Sequence, residues 1–168
     1  VSIRDTATKA PLENYYHGFI NGIFTSCEKL VSEYHSNYEA GNGYPDISFK
    51  AERNTKAVII EIKATTNDEE MDELAAKALA QIEDKNYALP FTKQSKITEI
   101  YAYGLVFCKK DCLNLHNKLV QAFACGKQVE ITNIFFDMLQ KYVSIRDTAT
   151  KAPLENYYHG FINGIFTS

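Results

Sequence analysis

What this sequence lacks narrows its reading. There is no apolar run long enough to cross a bilayer, no signal peptide, no low-complexity segment and no Gly/Ser linker. A soluble protein of a reducing cytoplasm is the expectation. Positive charge is not in excess either: 18 Lys and Arg stand against 21 Asp and Glu, a formal net charge of −3. Neutralising phosphates with Lys and Arg dominates polyanion coating, so a general nucleic-acid-coating protein is disfavoured. An enzyme that meets nucleic acid through one local basic surface is not. Cysteine is sparse as well. Cys108 and Cys112 are close enough to suggest zinc, but neither a second pair nor a histidine pair accompanies them. The four cysteines therefore read as structural thiols.

One thing is present twice. Residues 1–26 recur without a change as residues 143–168. Divergence leaves no such identity, so the repeat is a recent duplication, natural or engineered. The unique part is the size of one ordinary domain, able to bury a core without staples.

The chemistry-bearing stretch runs from Gly43 to Lys63. Tyr44-Pro45-Asp46-Ile47-Ser48-Phe49 is followed by a polar turn at Glu52-Arg53-Asn54 and then by Val58-Ile59-Ile60-Glu61-Ile62-Lys63. Two strands, about 45–51 and 56–63, with a tight connection predict a hairpin. The unbroken apolar run 57–60 predicts a central strand covered on both faces. Strand side chains alternate, which puts Glu61 and Lys63 on one face and Ile60 and Ile62 on the other. Two charges at the end of a buried strand cost free energy unless they find partners or a ligand. Asp46 is the natural third member. A strand-end ion pair is the plain alternative for Glu61 and Lys63.

Around this hairpin the chain reads as helix, strand, strand, strand, helix, strand, a mixed α/β fold. Pro11 suits a first helical turn. Leu12, Tyr15, Tyr16, Phe19, Ile20, Ile23 and Phe24 then follow helical spacing. Glu13 sits in that first turn, where the helix dipole favours a carboxylate, a reading that stands beside any ligand role. Residues 29–36 read as a half-polar strand, and Ser36 to Gly43 as a turn-forming loop. Residues 65–68 offer N-caps for an amphipathic helix marked by Met71, Leu74, Ala75, Ala78, Leu79 and Ile82. Gln81 and Lys85 share a flank of it, which is either a solvated flank or part of a site. Residues 100–107 form the last strand. Two short helices are expected in 113–142, the first ended by Gly126.

Motifs in this order resemble the PD-(D/E)XK nuclease superfamily, and within it the group often found behind an ATPase-like domain. The resemblance covers about residues 5–112. It rests on the stretch from Leu12 to Phe19, Ser36 to Gly43, Tyr44-Pro45-Asp46-Ile47, Ile60-Glu61-Ile62-Lys63, Ala78 to Tyr87, and Tyr103 to Phe107. An Asp followed by Glu-X-Lys alone is a weak pattern; these motifs in register are strong. The resemblance implies a restriction-endonuclease-like core, an α/β fold with a mixed sheet flanked by helices and extra C-terminal helices. It implies a nuclease acting on DNA more than RNA with Mg²⁺ or Mn²⁺, and an ATPase-domain partner. By resemblance Asp46, Glu61 and the Ile62 backbone carbonyl bind the metal, and Lys63 activates water or offsets transition-state charge. Glu13 matches an acidic residue on the first helix and Gln81 the glutamine on the second, with Lys85, Tyr87 and Asn37 as substrate contacts. The residues themselves read Tyr87 and Asn37 as structural first. Tyr44-Pro45 departs from the Arg-Tyr that relatives commonly carry before the aspartate, so a basic contact at the site mouth is not expected. The rival function is a catalytically silent module of the same fold that binds nucleic acid or a protein.

The expected organisation is a nuclease-like core over 1–112 and a helical extension over 113–168. One sheet has one slot for the first core helix. The first copy, with Glu13, is expected to fill it because it joins the next strand directly. The second, with Glu155, then packs elsewhere or enters another molecule by domain swapping.

Overall fold

The computed structural model describes residues 11–26, 31–65, 67–108, 122–127, 129–131 and 133–134, together with 160, 162 and 164. In chain order the elements are α1 (Pro11–Ser26), β1 (Ser32–Ser36), β2 (Ile47–Ala51), β3 (Lys56–Thr65), α2 (Met71–Asp84), α3 (Leu89–Thr92) and β4 (Glu99–Cys108). The expected order of helix, three strands, helix and strand is the order observed. Two compact units result. One holds the four strands with α2 and α3; the other holds α1 with the C-terminal part of the chain.

The sheet is mixed, in the order β1-β2-β3-β4. β1 pairs with β2 and β2 with β3 in antiparallel fashion, whereas β3 and β4 run parallel. The β2–β3 connection is tight because Glu52, Arg53 and Asn54 all adopt positive φ, and Thr55 N–H closes back on the Glu52 carbonyl at 3.3 Å. β3 is the central strand. Residues 57–62 are buried on both of its faces, as an unbroken apolar run requires.

α2 lies over β3 and β4. Ala57 and Ile59 of β3 meet Ile82 of α2, with Tyr87 and Phe91 completing this core. Ala78 and Ile82 are the buried residues of α2, while Leu79, expected on the apolar stripe, is exposed. It lies at the stripe's margin, one residue past the contact line. Helix and strand approach closely at Gly104. A Cβ there would lie 2.8 Å from the Ala75 carbonyl oxygen and 2.9 Å from the Ala78 Cβ.

The start of α2 departs from the sequence reading. The helix proper has Glu70 as N-cap and no side-chain cap. Asn67 instead starts a short 3₁₀ turn, accepting the Glu69 N–H at 3.2 Å with its side chain and the Glu70 N–H at 3.2 Å with its carbonyl. Thr65 Oγ1 donates to Glu70 at 2.8 Å. The polar cluster is used one turn before the helix, where the 3₁₀ turn holds the free donors.

In the second unit, residues 14–24 of α1 are buried on every side, Asn14, His17 and Asn21 included, rather than along the one apolar face that its spacing predicts. A helical segment with Gly160 and Gly164 lies against its backbone. A Cβ on Gly160 would be 2.9 Å from Phe19 N, and one on Gly164 would be 3.0 Å from Gly22 Cα. Residues 122–124 are helical, and the predicted stop at Gly126 forms with φ +69°. Gly126 N–H reaches the Phe123 carbonyl at 3.3 Å and Lys127 N–H the Ala122 carbonyl at 3.0 Å, the double closure of a Schellman cap.

Candidate active site

Ile47 pairs with Ile60 across the hairpin, and one further step in that register sets Asp46 opposite Glu61. Both project to the face of the sheet that α2 covers. Asp46 is 1% exposed and Glu61 2%. Two carboxylates this deep lose most of their hydration, which their surroundings must replace. For Asp46 the backbone contributes: Ile62 N–H donates to Asp46 Oδ2 at 2.7 Å.

Glu61 is served unevenly. Its Oε1 accepts from Lys63 Nζ at 2.9 Å and from Gln81 Nε2 at 2.5 Å. Its Oε2 is buried with no hydrogen-bond partner. Lys63 also donates to Gln81 Oε1 at 3.1 Å, so Glu61, Lys63 and Gln81 close a three-membered ring of bonds. That ring sets the amide's orientation. A flipped Gln81 would aim its NH₂ at an ammonium and its oxygen at a carboxylate. The strand-end ion pair of the plain reading thus exists, but it occupies one carboxylate oxygen only.

Tyr87 stands behind the ring. Gln81 Nε2 donates to its phenol oxygen at 3.3 Å. Burial pushes the phenol's pKa up and the negative charge of Glu61 adds to this, against the hydrogen bonds from Gln81 and the Tyr44 backbone and the charge of Lys63. Tyr87 is neutral across the physiological range.

The loop from Ser36 to Gly43 ties the two halves of this arrangement together. At one end Asn37 N–H donates to the Asp46 carbonyl at 3.0 Å. At the other, Asn42 N–H donates to the Lys85 carbonyl at 2.7 Å, just past α2. Gly41 has φ +59°, and a Cβ on it would run into the carbonyl oxygens of Lys85 and Asn86. Only glycine fits there. A Cβ on Gly43 would lie 3.2 Å from the Tyr87 ring. The sequence marked this stretch as a turn; nothing local signals that it clasps the end of a helix more than forty residues away.

The predicted site residues therefore separate. Asp46, Glu61, Ile62, Lys63, Gln81 and Tyr87 come together. Asn37 meets Asp46 through its backbone. Lys85 offers its carbonyl to the loop while its side chain is exposed. Glu13 lies on α1, in the other compact unit. Glu155 is outside the described residues.

A family model for the PD-(D/E)XK nuclease superfamily matches residues 12–117, most of the chain. The chain belongs to that superfamily. Its fold is accordingly the restriction-endonuclease-like one, and the superfamily's members are generally nucleases that use Mg²⁺ or Mn²⁺. No curated protein matches the sequence.

Among the described residues no group of three or more His, Cys, Asp or Glu side chains forms a metal site. The donor set of this superfamily member is smaller: two adjacent carboxylates and the backbone at Ile62. Hard oxygen donors suit Mg²⁺ and Mn²⁺, which keep several waters and need few protein ligands. The unpartnered, buried Oε2 of Glu61, a residue set opposite Asp46 by the register, fits a bound cation.

Proposed function

We propose that this PD-(D/E)XK protein is a metal-dependent phosphodiesterase that hydrolyses DNA, with Asp46 and Glu61 as metal ligands assisted by the Ile62 carbonyl. The observation that carries the reading is Glu61: one oxygen is locked by Lys63 and Gln81, and the other is buried and unbonded, on a residue that the strand register sets opposite Asp46. A purely structural ion pair gives no reason for such a division. A divalent ion held there supplies a Lewis acid for the scissile phosphate and lowers the pKa of a bound water. Lys63 is the one cation in the ring and is partly exposed, placed to offset charge that develops on the phosphate. Gln81 keeps the Lys63 ammonium and Glu61 Oε1 in fixed relation. Tyr87, neutral and buried, backs Gln81 without adding charge.

The test is cleavage of single- and double-stranded DNA and of RNA with Mg²⁺ or Mn²⁺, beside Asp46→Ala and Lys63→Ala. Wild type is expected to cut DNA, and each substitution to lower the rate by about 10²-fold or more. Activity that survives both substitutions overturns the assignment. Wild-type binding to nucleic acid without cleavage favours the catalytically silent module.

A further inference from the structure

The mechanism leaves a pair of rings unused beside the acids. His35 and Tyr38 stack with centroids 4.6 Å apart and 23° between their planes. Tyr38 is 61% exposed, an unusual state for so large a ring, and His35 is half-buried beneath it. The register places them. His35 lies opposite Ser48, and Ser48 is two residues along β2 from Asp46. Antiparallel partners project to one side and alternate residues share a face, so His35 is on the face that carries Asp46 and Glu61. Strand rise and spacing put the Cα atoms of His35 and Asp46 roughly 8 Å apart, the scale of one nucleotide. Tyr38 also follows Asn37, whose N–H holds the Asp46 carbonyl at 3.0 Å, so the rings are tethered to the site through one residue. On this face α2 lies over β3 and β4, at the other side of Asp46 from β1.

We infer that the His35–Tyr38 pair is a stacking platform for a nucleobase beside the scissile phosphate, and hence that the substrate presents an unpaired strand. The inference rests on the nuclease reading and narrows its substrate. A ring held flat by a second ring presents its outer face with little conformational entropy left to lose. Every base has such a face, so the contact tolerates any sequence. In a duplex these faces are already stacked on neighbouring bases. Only a single strand, a flap or a frayed end offers one. Tyr44, also exposed, lies two residues before Asp46. With a net charge of −3, the chain is suited to gain affinity from stacking as well as from cations.

The test is fluorescence anisotropy with a short labelled oligothymidylate, the same strand carrying one abasic residue at each position in turn, and a duplex of equal length. Tyr38→Ala is expected to weaken binding to the intact strand by about 5- to 150-fold, the equivalent of ~1–3 kcal/mol per stacked base. Tyr38→Phe is expected to restore it. Against the strand whose abasic position meets the platform, wild type and Tyr38→Ala are expected to bind alike. A wild type that cleaves DNA while Tyr38→Ala binds every strand equally well overturns the platform and leaves the nuclease reading intact. An equal loss on intact and all abasic strands also overturns it, since the missing contact is then not with a base. A wild type that neither binds nor cleaves nucleic acid overturns both.

Discussion

Gln81 shows how a neutral side chain governs charged ones. It is the only residue that bonds Glu61, Lys63 and Tyr87 together among the contacts described. Replacing it with Ala removes one of the bonds to Glu61 Oε1 and one acceptor of Lys63. Such supporting contacts are worth about 10–100-fold in metal affinity or activity. Gln81→Ala is therefore expected to reduce kcat and the apparent Mg²⁺ affinity by that order, read from steady-state rates over a Mg²⁺ titration. An unchanged profile would show the ring to be ornamental. Tyr87 gives a second expectation at this scale. Its folded-state pKa is raised above the ordinary 10.0 by burial and by Glu61. The folded chain thus holds this proton more tightly than the unfolded chain. The associated stability is whole below about pH 10 and is lost as pH climbs toward the raised value. Relative to Tyr87→Phe, wild type is expected to lose stability as pH climbs through that window, by no more than about 1.4 kcal/mol per pH unit. Urea unfolding of both proteins at several alkaline pH values measures it; parallel curves would contradict it.

Two glycines position whole elements. At Gly104 the backbone of β4 lies under α2, with the Ala75 carbonyl and Ala78 Cβ where a side chain would go. Gly104 pairs with Glu61 across the parallel strands, so the close approach is beside the site itself. Gly104→Val must lift α2, and overpacking of this kind costs about 1–3 kcal/mol. Because α2 carries Gln81, cleavage is expected to fall further than the unfolding midpoint alone explains. Gly41 acts from the opposite direction. Its φ of +59° and its contact with the Lys85 and Asn86 carbonyls admit no side chain. Gly41→Ala is expected to release the loop from α2, cost about 1–3 kcal/mol, and raise hydrogen exchange at Asn42 N–H, whose acceptor is the Lys85 carbonyl. An Asn42 amide that stays protected in the variant would count against the clasp.

At the scale of the molecule the repeat sets the question. Gly22 and Gly164 occupy the same place in the two copies, and a Cβ on Gly164 would lie 3.0 Å from Gly22 Cα. Like positions thus meet like, and Gly160, one turn back, lies against Tyr15 and Phe19 of α1. Small residues permit such close backbones. Removing 143–168 uncovers this part of α1, which carries Phe19 and Ile23. The shortened chain is expected to unfold at lower urea and to associate more than the full chain does, as light scattering on both would show. A shortened monomer of unchanged stability would make the extra copy a bystander.

Some of this architecture was legible in the residues because it is local. Alternation put Glu61 and Lys63 on one face, an apolar run marked the central strand, and Gly126 announced a helix stop that the backbone then formed. The approach of Gln81 to Glu61, across twenty residues of chain, was left open between a solvated flank and a site. Helical period tells which residues share a side of α2; it does not tell which strand that side meets. The same is true of Gly41, whose partner carbonyls come from the far end of α2, and of Asn14, His17 and Asn21, polar residues that the spacing of α1 leaves off its apolar face and that packing buries. The sequence by itself determined the two acids, the lysine and the strands that present them, since spacing along one chain decides those. Only tertiary structure decided which oxygen of Glu61 is occupied and which is not, because hydrogen-bond partners are chosen by register and packing between elements, and neither is written in the order of residues.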